Sequence, residues 1–226
     1  MPAAISEGAL SGRLRAVLGA AGGGVFNTLA DIGTDHGYIP IFAVKRGIAR
    51  RAVACDLNKG PLKKAAENAR LSGLEHIIEA RAGYGLSALT AGEADCIVIS
   101  GMGGLLMTDI LQKGAEAAAA ASRLVLQPQR DIPRVRRYLR ESGFNISDEA
   151  IVFDDGKYYF IIVCDKTAAP DQAPYSGMEY EFGRPLLARK DPVLAEYIKK
   201  RLAKFNAIGA PVSRQIEIYT EALKCL

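Results

Sequence analysis

Short apolar runs alternate with longer amphipathic stretches along the first part of the chain. The runs have the composition of buried strands, and the stretches have the 3.6-residue period of helices with one apolar face. Strands are predicted at residues 25–30, 51–56, 77–81, 95–100 and 123–127. Helices are predicted at residues 11–20, 38–46, 61–72, 105–112 with the alanine run that follows, and 132–142. This alternation predicts an α/β fold with a doubly wound, mainly parallel sheet.

Two further apolar runs, at residues 146–153 and 158–165, flank the tripeptide Asp154-Asp155-Gly156. An Asp-Gly turn between two strand-like runs is typical of a β-hairpin. The hairpin adds one antiparallel strand to the predicted sheet. Residues 1–166 are therefore predicted to form one α/β domain.

The C-terminal part differs in composition. Residues 167–181 are rich in Pro and Ala and predict a linker, and residues 182–226 predict a helical hairpin that resembles a short coiled coil. Asp191 caps its first helix, residues 206–211 break it, and Ser213 begins the second. The predicted inner faces consist of Val193, Leu194, Tyr197, Ile198, Leu202 and Phe205 in the first helix, and of Ile216, Tyr219 and Leu223 in the second.

The stretch D-I-G-T-D-H-G-Y, residues 31–38, follows the first strand and opens the next helix. Its glycines allow a tight turn and a close approach of a ligand to the backbone. Asp56 ends the second strand, nineteen positions after Gly37, where a carboxylate can accept hydrogen bonds from a ribose diol. The pattern indicates a nucleoside-type cofactor. An ordinary strand–helix turn that uses Gly and Asp only for capping is the alternative.

The charge of this loop bears on which cofactor it binds. A dinucleotide site has G-x-G-x-x-G and a helix N-terminus directed at a pyrophosphate. Here Asp31 and Asp35 lie in one loop and would repel phosphate. S-adenosylmethionine carries an ammonium and a sulfonium group and no phosphate, so the sequence favours it over NAD.

A second glycine loop, S-G-M-G-G at residues 100–104, follows the fourth strand. In methyltransferases that place the methyl acceptor beside the fourth strand, this loop faces both the sulfonium and the acceptor. Enzymes that methylate exocyclic amino groups usually have Asn/Asp-Pro-Pro-Tyr/Phe here, which this chain lacks. The glycines suit an acceptor whose lone pair needs positioning rather than deprotonation. A glycine turn for close helix–strand packing is compatible with this interpretation.

The 226-residue chain is 49% hydrophobic, which suits one large domain with an appendage. It contains no run of about eighteen apolar residues, and its first ten residues do not have the pattern of a secretory signal. Its four cysteines include no C-x-x-C pair, so neither a disulfide framework nor a metal site is predicted. A cytoplasmic protein is expected.

Positive charge is concentrated in the tail. Residues 182–226 contain nine Lys/Arg and four Asp/Glu, which accounts for the whole excess in a chain of net charge +4. A basic appendage is a candidate nucleic-acid contact, and a solvated helix face fits equally well. If the tail does not bind RNA, the alternative is a cluster on the helix at residues 132–142: Arg134, Arg136, Arg137 and Arg140.

The motifs D-I-G-T-D-H-G-Y-I-P-I, A-C-D-L-N-K-G-P-L, S-G-M-G-G, L-Q-P-Q and D-D-G-K-Y-Y occur in this order. In this combination the chain resembles the bacterial tRNA (adenine(22)-N1)-methyltransferase family, from about residue 10 to residue 165 and more loosely in the tail. The resemblance implies a Rossmann-like class I methyltransferase fold, S-adenosylmethionine as methyl donor, and N1 of an adenine in the D-arm region of tRNA as acceptor. The tail is short for the family.

The resemblance also implies site residues. Asp35 and His36 are the predicted catalytic residues, because the methylated adenine is cationic and a nearby carboxylate would stabilise the developing charge. Tyr84 departs from the family, which usually has a carboxylate or amide there. The predicted cofactor-binding residues are Asp31, Gly33, Asp35, His36, Gly37, Tyr38, Asp56, Leu57, Gly83, Tyr84, Ser100, Gly101 and Met102. The predicted substrate-binding residues are Gly103, Gly104, Gln127, Pro128, Tyr158, Lys199, Lys200, Arg201 and Lys204.

Two other function classes remain open from the sequence. One is a class I methyltransferase that acts on another RNA site, or on a protein or a small molecule. With a protein or a small molecule as substrate, the basic tail would have no purpose. The other is a non-catalytic RNA-binding module that keeps the fold. Three carboxylates around one ligand site, Asp31, Asp35 and Asp56, argue against the second. A monomer that binds tRNA without a metal is expected.

Overall fold

The computed structural model describes residues 5–166, 173–207 and 213–226, and a seven-stranded sheet runs through them. The strand order is β3-β2-β1-β4-β5-β7-β6, and among these strands β7 alone runs opposite to the other six. The predicted doubly wound sheet with one antiparallel strand is confirmed. The strands are β1 (Phe26–Ile32), β2 (Ala49–Asp56), β3 (Ile78–Ala82), β4 (Cys96–Met102), β5 (Arg123–Pro128), β6 (Ile146–Asp154) and β7 (Lys157–Asp165).

Helices cover both faces of the sheet, and alternate residues of each strand point to opposite faces. In β4, Ile97 and Ile99 pack against α4–α6, whereas Cys96 and Val98 pack in the core cluster formed with α1–α3. The helices are α1 (Gly12–Ala21), α2 (Tyr38–Lys45), α3 (Lys59–Leu71), α4 (Gly104–Lys113), α5 (Ala115–Ala120), α6 (Ile132–Glu141), α7 (Gly177–Phe182), α8 (Arg184–Ala188), α9 (Pro192–Ala207) and α10 (Arg214–Cys225). Within the described residues, no helix is long and apolar enough to cross a membrane.

Three boundaries differ from the prediction for local reasons. Strand β1 continues to Ile32, so Asp31 belongs to the strand rather than to the loop. The predicted helix at residues 105–112 and the alanine run are two helices that meet at Gly114, whose backbone departs from helical geometry (φ −108°, ψ 34°) and where a side chain would collide with Leu86. Asp131 precedes α6 as predicted but has a left-handed backbone (φ 56°), and its side chain makes no capping hydrogen bond.

The C-terminal helices pack on the hairpin of β6 and β7 and do not stand apart. Ile151 and Phe160 of the hairpin share one core cluster with Phe182, Leu194 and Tyr219. The predicted caps of α9 and α10 are confirmed, and so is the apolar face of α9, although Ile216 of α10 lies outside the cluster. Whether α9 and α10 form a coiled coil stays a prediction.

Two predicted irregular segments are corrected in part. The predicted linker at residues 167–181 contains most of helix α7, which begins with a capping box between Ser176 and Glu179; residues 167–172 lie outside the described residues. The predicted break at residues 206–211 starts later, because α9 continues to Ala207, and residues 208–211 also lie outside the described residues.

A buried ion pair holds the helical tail against the sheet. Arg136 of α6 and Glu149 of β6 are both fully buried, with an Nη2–Oε2 distance of 2.7 Å. The same guanidinium donates to the carbonyl oxygens of Tyr180 (2.9 Å) and Glu181 (2.7 Å) in α7. Arg136 is therefore structural, and it does not belong to the alternative RNA-contacting cluster that the sequence suggested.

Glu149→Gln should lower the free energy of unfolding by about 3–5 kcal/mol, because the buried Arg136 would lose its counter-charge. The matched control is Glu196→Gln, whose partner Lys199 is more than half exposed and whose loss should cost less than about 1 kcal/mol. Chemical denaturation of both variants measures the two losses. Equal small losses would mean that the buried pair does not stabilise the fold.

Candidate active site

A cavity of about 290 Å³ opens where the carboxyl ends of β1 and β4 meet. The chain connections leave β1 and β4 in opposite directions along the sheet, and such a point is where open α/β sheets bind ligands. The cavity is lined by Arg13, Leu14, Asp31, Gly33, Thr34, Asp35, His36, Tyr38, Ile39, Ser100, Gly101 and Gln129. The structure thus brings together two predicted loops that are about seventy residues apart.

Asp31 is the buried charge of this cavity. Its residue is only 5% exposed, and burial raises the pKa of its carboxyl to about 6, a rise that Asp56 increases and Arg13 opposes. A carboxylate that is costly to bury gains most from a cationic partner. The geometry therefore suits a ligand with a positive group at this point.

The backbone of the loop after β1 is fixed to the end of β2. The amides of Gly33 and Thr34 both donate to the carbonyl oxygen of Cys55, at 2.8 Å and 2.9 Å. Gly37 has φ 70° at the start of α2, and a Cβ there would lie 3.1 Å from Ala65 of α3. The Gly33 and Thr34 amides are thus already used, so they are not available to a pyrophosphate.

Asp35 and His36 lie at the rim of the cavity. The Asp35 side chain is 72% exposed, and its Oδ2 lies 3.3 Å from His36 Nε2. The His36 ring stacks on Tyr38 with a centroid distance of 5.2 Å, and the backbone carbonyl oxygen of His36 accepts a hydrogen bond from the Asn68 side chain. This rim can place an exposed carboxylate and an imidazole beside a ligand that enters from solvent.

The tips of β2 and β3 continue the same edge of the sheet beyond the lining of the cavity. Asp56 accepts a 2.6 Å hydrogen bond from the amide of Asn58, and its carbonyl oxygen accepts one from Gly83. Leu57 is 63% exposed. The Tyr84 hydroxyl donates to Asp109 of α4 at 2.6 Å, which raises the pKa of Tyr84. Tyr84 thus directs its polar group to α4.

The glycines of the β4 loop divide into two kinds. Gly101 has φ 79° and lines the cavity, and a Cβ there would still lie 3.7 Å from Arg13 and 3.8 Å from Gln129. Gly104 is buried, and a Cβ there would lie 2.8 Å from the carbonyl oxygens of Arg130 and Asp131. The packing interpretation therefore fits Gly104, whereas Gly101 is the open position.

Other residues of this loop support its shape. A side chain at Gly33 would collide with Met102, so Met102 packs across the loop that follows β1. Gly103 lies next to Arg130 and is the N-cap of α4. Ser100, one residue before Gly101, is part of the cavity lining. Four consecutive residues at the end of β4 therefore have distinct roles: Ser100, Gly101, Met102 and Gly103.

Gln127 and Pro128 are buried, which corrects their prediction as substrate-contacting residues. Gln127 Oε1 accepts hydrogen bonds from Arg13 Nη1 (2.9 Å) and from the Gly101 amide (3.1 Å). A fully buried side chain cannot touch a nucleotide outside the loop. Gln127 instead holds Arg13 and Gly101 in place.

Sequence reasoning missed five residues of the cavity lining, of which Arg13 is the charged one; the others are Leu14, Thr34, Ile39 and Gln129. Arg13 lies in the first turn of α1, and its amide donates to Asp154 at the tip of the hairpin (2.8 Å). Its guanidinium reaches the cavity through Gln127. No local motif marks it, because it enters the site only through the packing of α1 on the sheet.

A second, larger cavity of about 670 Å³ lies between the hairpin and α9. We call it the hairpin groove, and Gln129 lines both it and the first cavity. The predicted substrate residues Tyr158, Lys200, Arg201 and Lys204 line it. Lys199 does not, because it pairs with Glu196. The full lining is Gln129, Phe153, Gly156, Lys157, Tyr158, Tyr159, Tyr197, Lys200, Arg201, Ala203 and Lys204.

Known proteins resemble the whole of this arrangement. The sequence profile of the tRNA (adenine(22)-N(1))-methyltransferase family matches residues 29–224. The tRNA (adenine(22)-N(1))-methyltransferase of Bacillus subtilis (strain 168) is 37% identical over 175 residues, which are 76% of this chain and 72% of that protein.

Solved structures agree over nearly the full length. The crystal structure of the B. subtilis m1A22 tRNA methyltransferase has a TM-score of 0.81 at 31% identity and covers 95% of this chain and 98% of its own. A candidate tRNA (m1A22) methyltransferase from Streptococcus pneumoniae, in complex with S-adenosyl-L-methionine, also has a TM-score of 0.81 at 31% identity, with coverages of 96% and 97%.

Asp31→Asn should stabilise the ligand-free protein above pH 6. The pKa of Asp31 rises on folding from 3.8 to about 6, so the stability that its carboxyl contributes is complete below about pH 4 and is lost as the pH rises through 6. Asparagine avoids the buried charge, so the variant should gain up to about 3 kcal/mol at pH 7 and almost nothing at pH 4. Denaturation of both proteins across this range measures the difference. A difference that does not change with pH would contradict the assignment.

Proposed function

This chain belongs to the tRNA (adenine(22)-N(1))-methyltransferase family and is an S-adenosylmethionine-dependent tRNA (adenine-N1)-methyltransferase, and we propose that its own site is the cavity at β1 and β4 together with the hairpin groove. One observation carries the proposal. The cavity with the buried Asp31 and the basic, aromatic groove share the exposed residue Gln129, so a donor site and an RNA site adjoin.

The residues of the cavity fit the donor. S-adenosylmethionine has an ammonium group for Asp31 and a carboxylate for Arg13, both of which line the cavity. Asp56, at the next strand tip, suits the ribose hydroxyls. The occupied amides of Gly33 and Thr34 also fit a ligand without phosphate.

The donor, when bound, supplies an electrophilic methyl group, and the chain's residues position the acceptor. Adenine N1 has a free lone pair at neutral pH, so attack needs no general base. Holding the reactants at near-attack distance can lower the barrier by about 7–11 kcal/mol. The exposed carboxylate of Asp35 stabilises the positive charge that develops on the adenine, and His36 orients that carboxylate at 3.3 Å. Gly101 leaves room for the base.

The chain acts as a monomer in the cytoplasm under this proposal. The apolar faces of α9 and α10 are covered within the chain, since Leu194, Ile198, Tyr219 and Ala222 are at most 1% exposed. The described part of the tail therefore offers these residues to no second copy. Its basic residues remain at the surface for tRNA.

The function is tested by incubating the purified protein with labelled S-adenosylmethionine and an unmodified tRNA transcript. Nucleoside mass spectrometry should find 1-methyladenosine, and sequencing should place it at one adenine of the D-arm region. A transcript in which that adenine is replaced by guanosine is the control. Label on another nucleoside, or label that persists on the control, would contradict the proposed acceptor.

Asp56→Ala and Asp35→Asn should separate donor binding from turnover. Asp56→Ala should weaken donor binding by about 1.5–3 kcal/mol, the worth of charge-assisted hydrogen bonds. Asp35→Asn should lower kcat with little effect on donor affinity, because its charge acts on the transition state. Calorimetric titration and single-turnover rates measure the two effects. An Asp35→Asn enzyme with normal turnover at saturating donor would remove Asp35 from this role.

Lys200, Arg201 and Lys204 should contribute phosphate contacts. Replacing all three with Gln should weaken tRNA binding and lower the slope of log affinity against log salt by up to about one unit per lost contact. Lys199→Gln is the matched control, because Lys199 belongs to the same helix but pairs with Glu196 outside the groove. If the control and the triple variant change the slope equally, the groove has no special part in RNA binding.

A further inference from the structure

The tip of the hairpin presents an aromatic ring to solvent. Phe153 is 49% exposed, although the chain buries most of its large apolar side chains. It lies opposite Tyr158 in the β6–β7 pairing, with a ring centroid distance of 4.7 Å. Tyr158 in turn packs edge-on against Tyr197 of α9 at 5.3 Å. The Tyr158 ring is therefore fixed by packing within the fold, whereas the Phe153 ring is half exposed to solvent.

Cationic groups surround these rings. The Lys200 ammonium lies 4.4 Å from the ring centroid of Phe153 and 5.2 Å from that of Tyr158. Lys157 and Lys204 line the same groove. The one carboxylate of α9, Glu196, borders an adjoining cavity with Phe153, Tyr158 and Lys200, and it is paired with Lys199. The groove therefore combines exposed aromatic surface with a positive charge that suits a polyanion.

Arg201 adds an unused donor. Its Nε atom is buried and has no hydrogen-bond partner among the described residues, and its guanidinium lies 5.4 Å from the ring centroid of Phe205. A buried donor without a partner is costly, and an anion that enters the groove would satisfy it. Its place in the groove lining makes phosphate a suitable acceptor.

The groove also adjoins the methyl-transfer site. Gln129 lines both cavities, and its Nε2 lies 3.8 Å from where a Cβ on Gly101 would stand. Adenine N1 is on the Watson–Crick edge, so a paired target must leave the helix before it reacts. Its neighbours in the strand then lose a stacking partner close to this point.

We propose that Phe153 and Tyr158 form a stacking platform for one unpaired nucleotide next to the methylated adenine, with Arg201 and Lys200 bound to its phosphate. This inference rests on the proposed function and names the RNA contact that the groove makes. Base–aromatic stacking outweighs an exposed cation–π contact, so the base displaces Lys200 from the rings and frees it for the phosphate. The platform would compensate for the stacking that the flanking nucleotide loses when the target leaves the helix.

The absence of tryptophan from the chain allows a direct test. F153W keeps a stacking face and introduces a single tryptophan, which can be excited separately from the nine tyrosines and whose emission should be quenched when an unmodified tRNA transcript binds. V25W is the matched control, since Val25 is 67% exposed and lies at the amino end of β1, whereas the groove opens beside the carboxyl ends of the strands. Its emission should not change. Equal quenching of both, or of neither, would overturn the platform.

A double-mutant cycle tests the partner of the ring. F153L should weaken binding of the transcript by about 5- to 50-fold, while F153W restores it. Two further transcripts each carry one abasic nucleotide, on the 5′ or on the 3′ side of the methylated adenine. One of them should bind wild type with a similar loss of affinity, because it lacks the stacked base. F153L should bind that transcript as tightly as wild type does. If the loss of affinity caused by F153L and the loss caused by the abasic site are independent for both transcripts, the proposal is overturned. An F153L variant with normal affinity for the intact transcript would also overturn it.

Two measurements keep this outcome separate from that of the proposed function. Donor binding by calorimetry shows that each variant is folded, because Phe153 lies outside the donor cavity. Methylation of the intact transcript by wild type tests the function itself. If wild type forms 1-methyladenosine while the Phe153 variants bind normally, only the platform fails. If wild type forms none, the proposed function fails regardless of stacking.

Discussion

The buried pair of Arg136 and Glu149 is the contact on which the placement of the helical tail depends. One guanidinium joins α6, β6 and the last carbonyls of α7, so three separate segments meet at a single side chain. A side chain at Gly183 would collide with the Glu149 carboxylate, which shows how closely the chain turns around the pair. The start of α9 follows a few residues later, and its distance from the hairpin sets the width of the groove.

The buried carboxylate of Asp31 differs from that of Glu149 in how closely it is paired with a cation. Glu149 has a guanidinium at hydrogen-bond distance, whereas the rise in the pKa of Asp31 is opposed only by the Thr34 side chain and by the more distant charge of Arg13. An incompletely paired carboxylate destabilises the ligand-free fold and is retained where a ligand completes the pairing. The contrast separates Glu149, which belongs to a structural ion pair, from Asp31, the proposed binding group, although both are carboxylates in strands of the same sheet.

The sequence predicts the sheet, its order of elements and the two glycine loops well, because each depends on short-range signals. Alternating apolar runs define the strands, and Gly37 and Asp191 mark helix starts through their own backbone or side-chain geometry. Residues whose role comes from long-range packing are different. Arg13 acquires its place through Gln127, which is 114 positions away, and the burial of Gln127 and Arg136 follows from neighbours that no local pattern specifies. Because Gln127 and Arg136 have polar side chains, the sequence wrongly predicted both as surface contacts.

The end of β5 explains how the proposed donor and RNA sites come to adjoin each other. Gln127 and Gln129 are two residues apart, yet one is fully buried and the other exposed. Gln127 fixes the Gly101 amide and Arg13 from behind the cavity, and the Gln129 amide donates to Met102 of the same loop while its side chain lines both cavities. Asp154 at the hairpin tip binds the first turn of α1 as well, so the wall of the groove and Arg13 share one anchor. The hairpin and the proposed donor cavity are therefore linked through the first turn of α1 by hydrogen bonds.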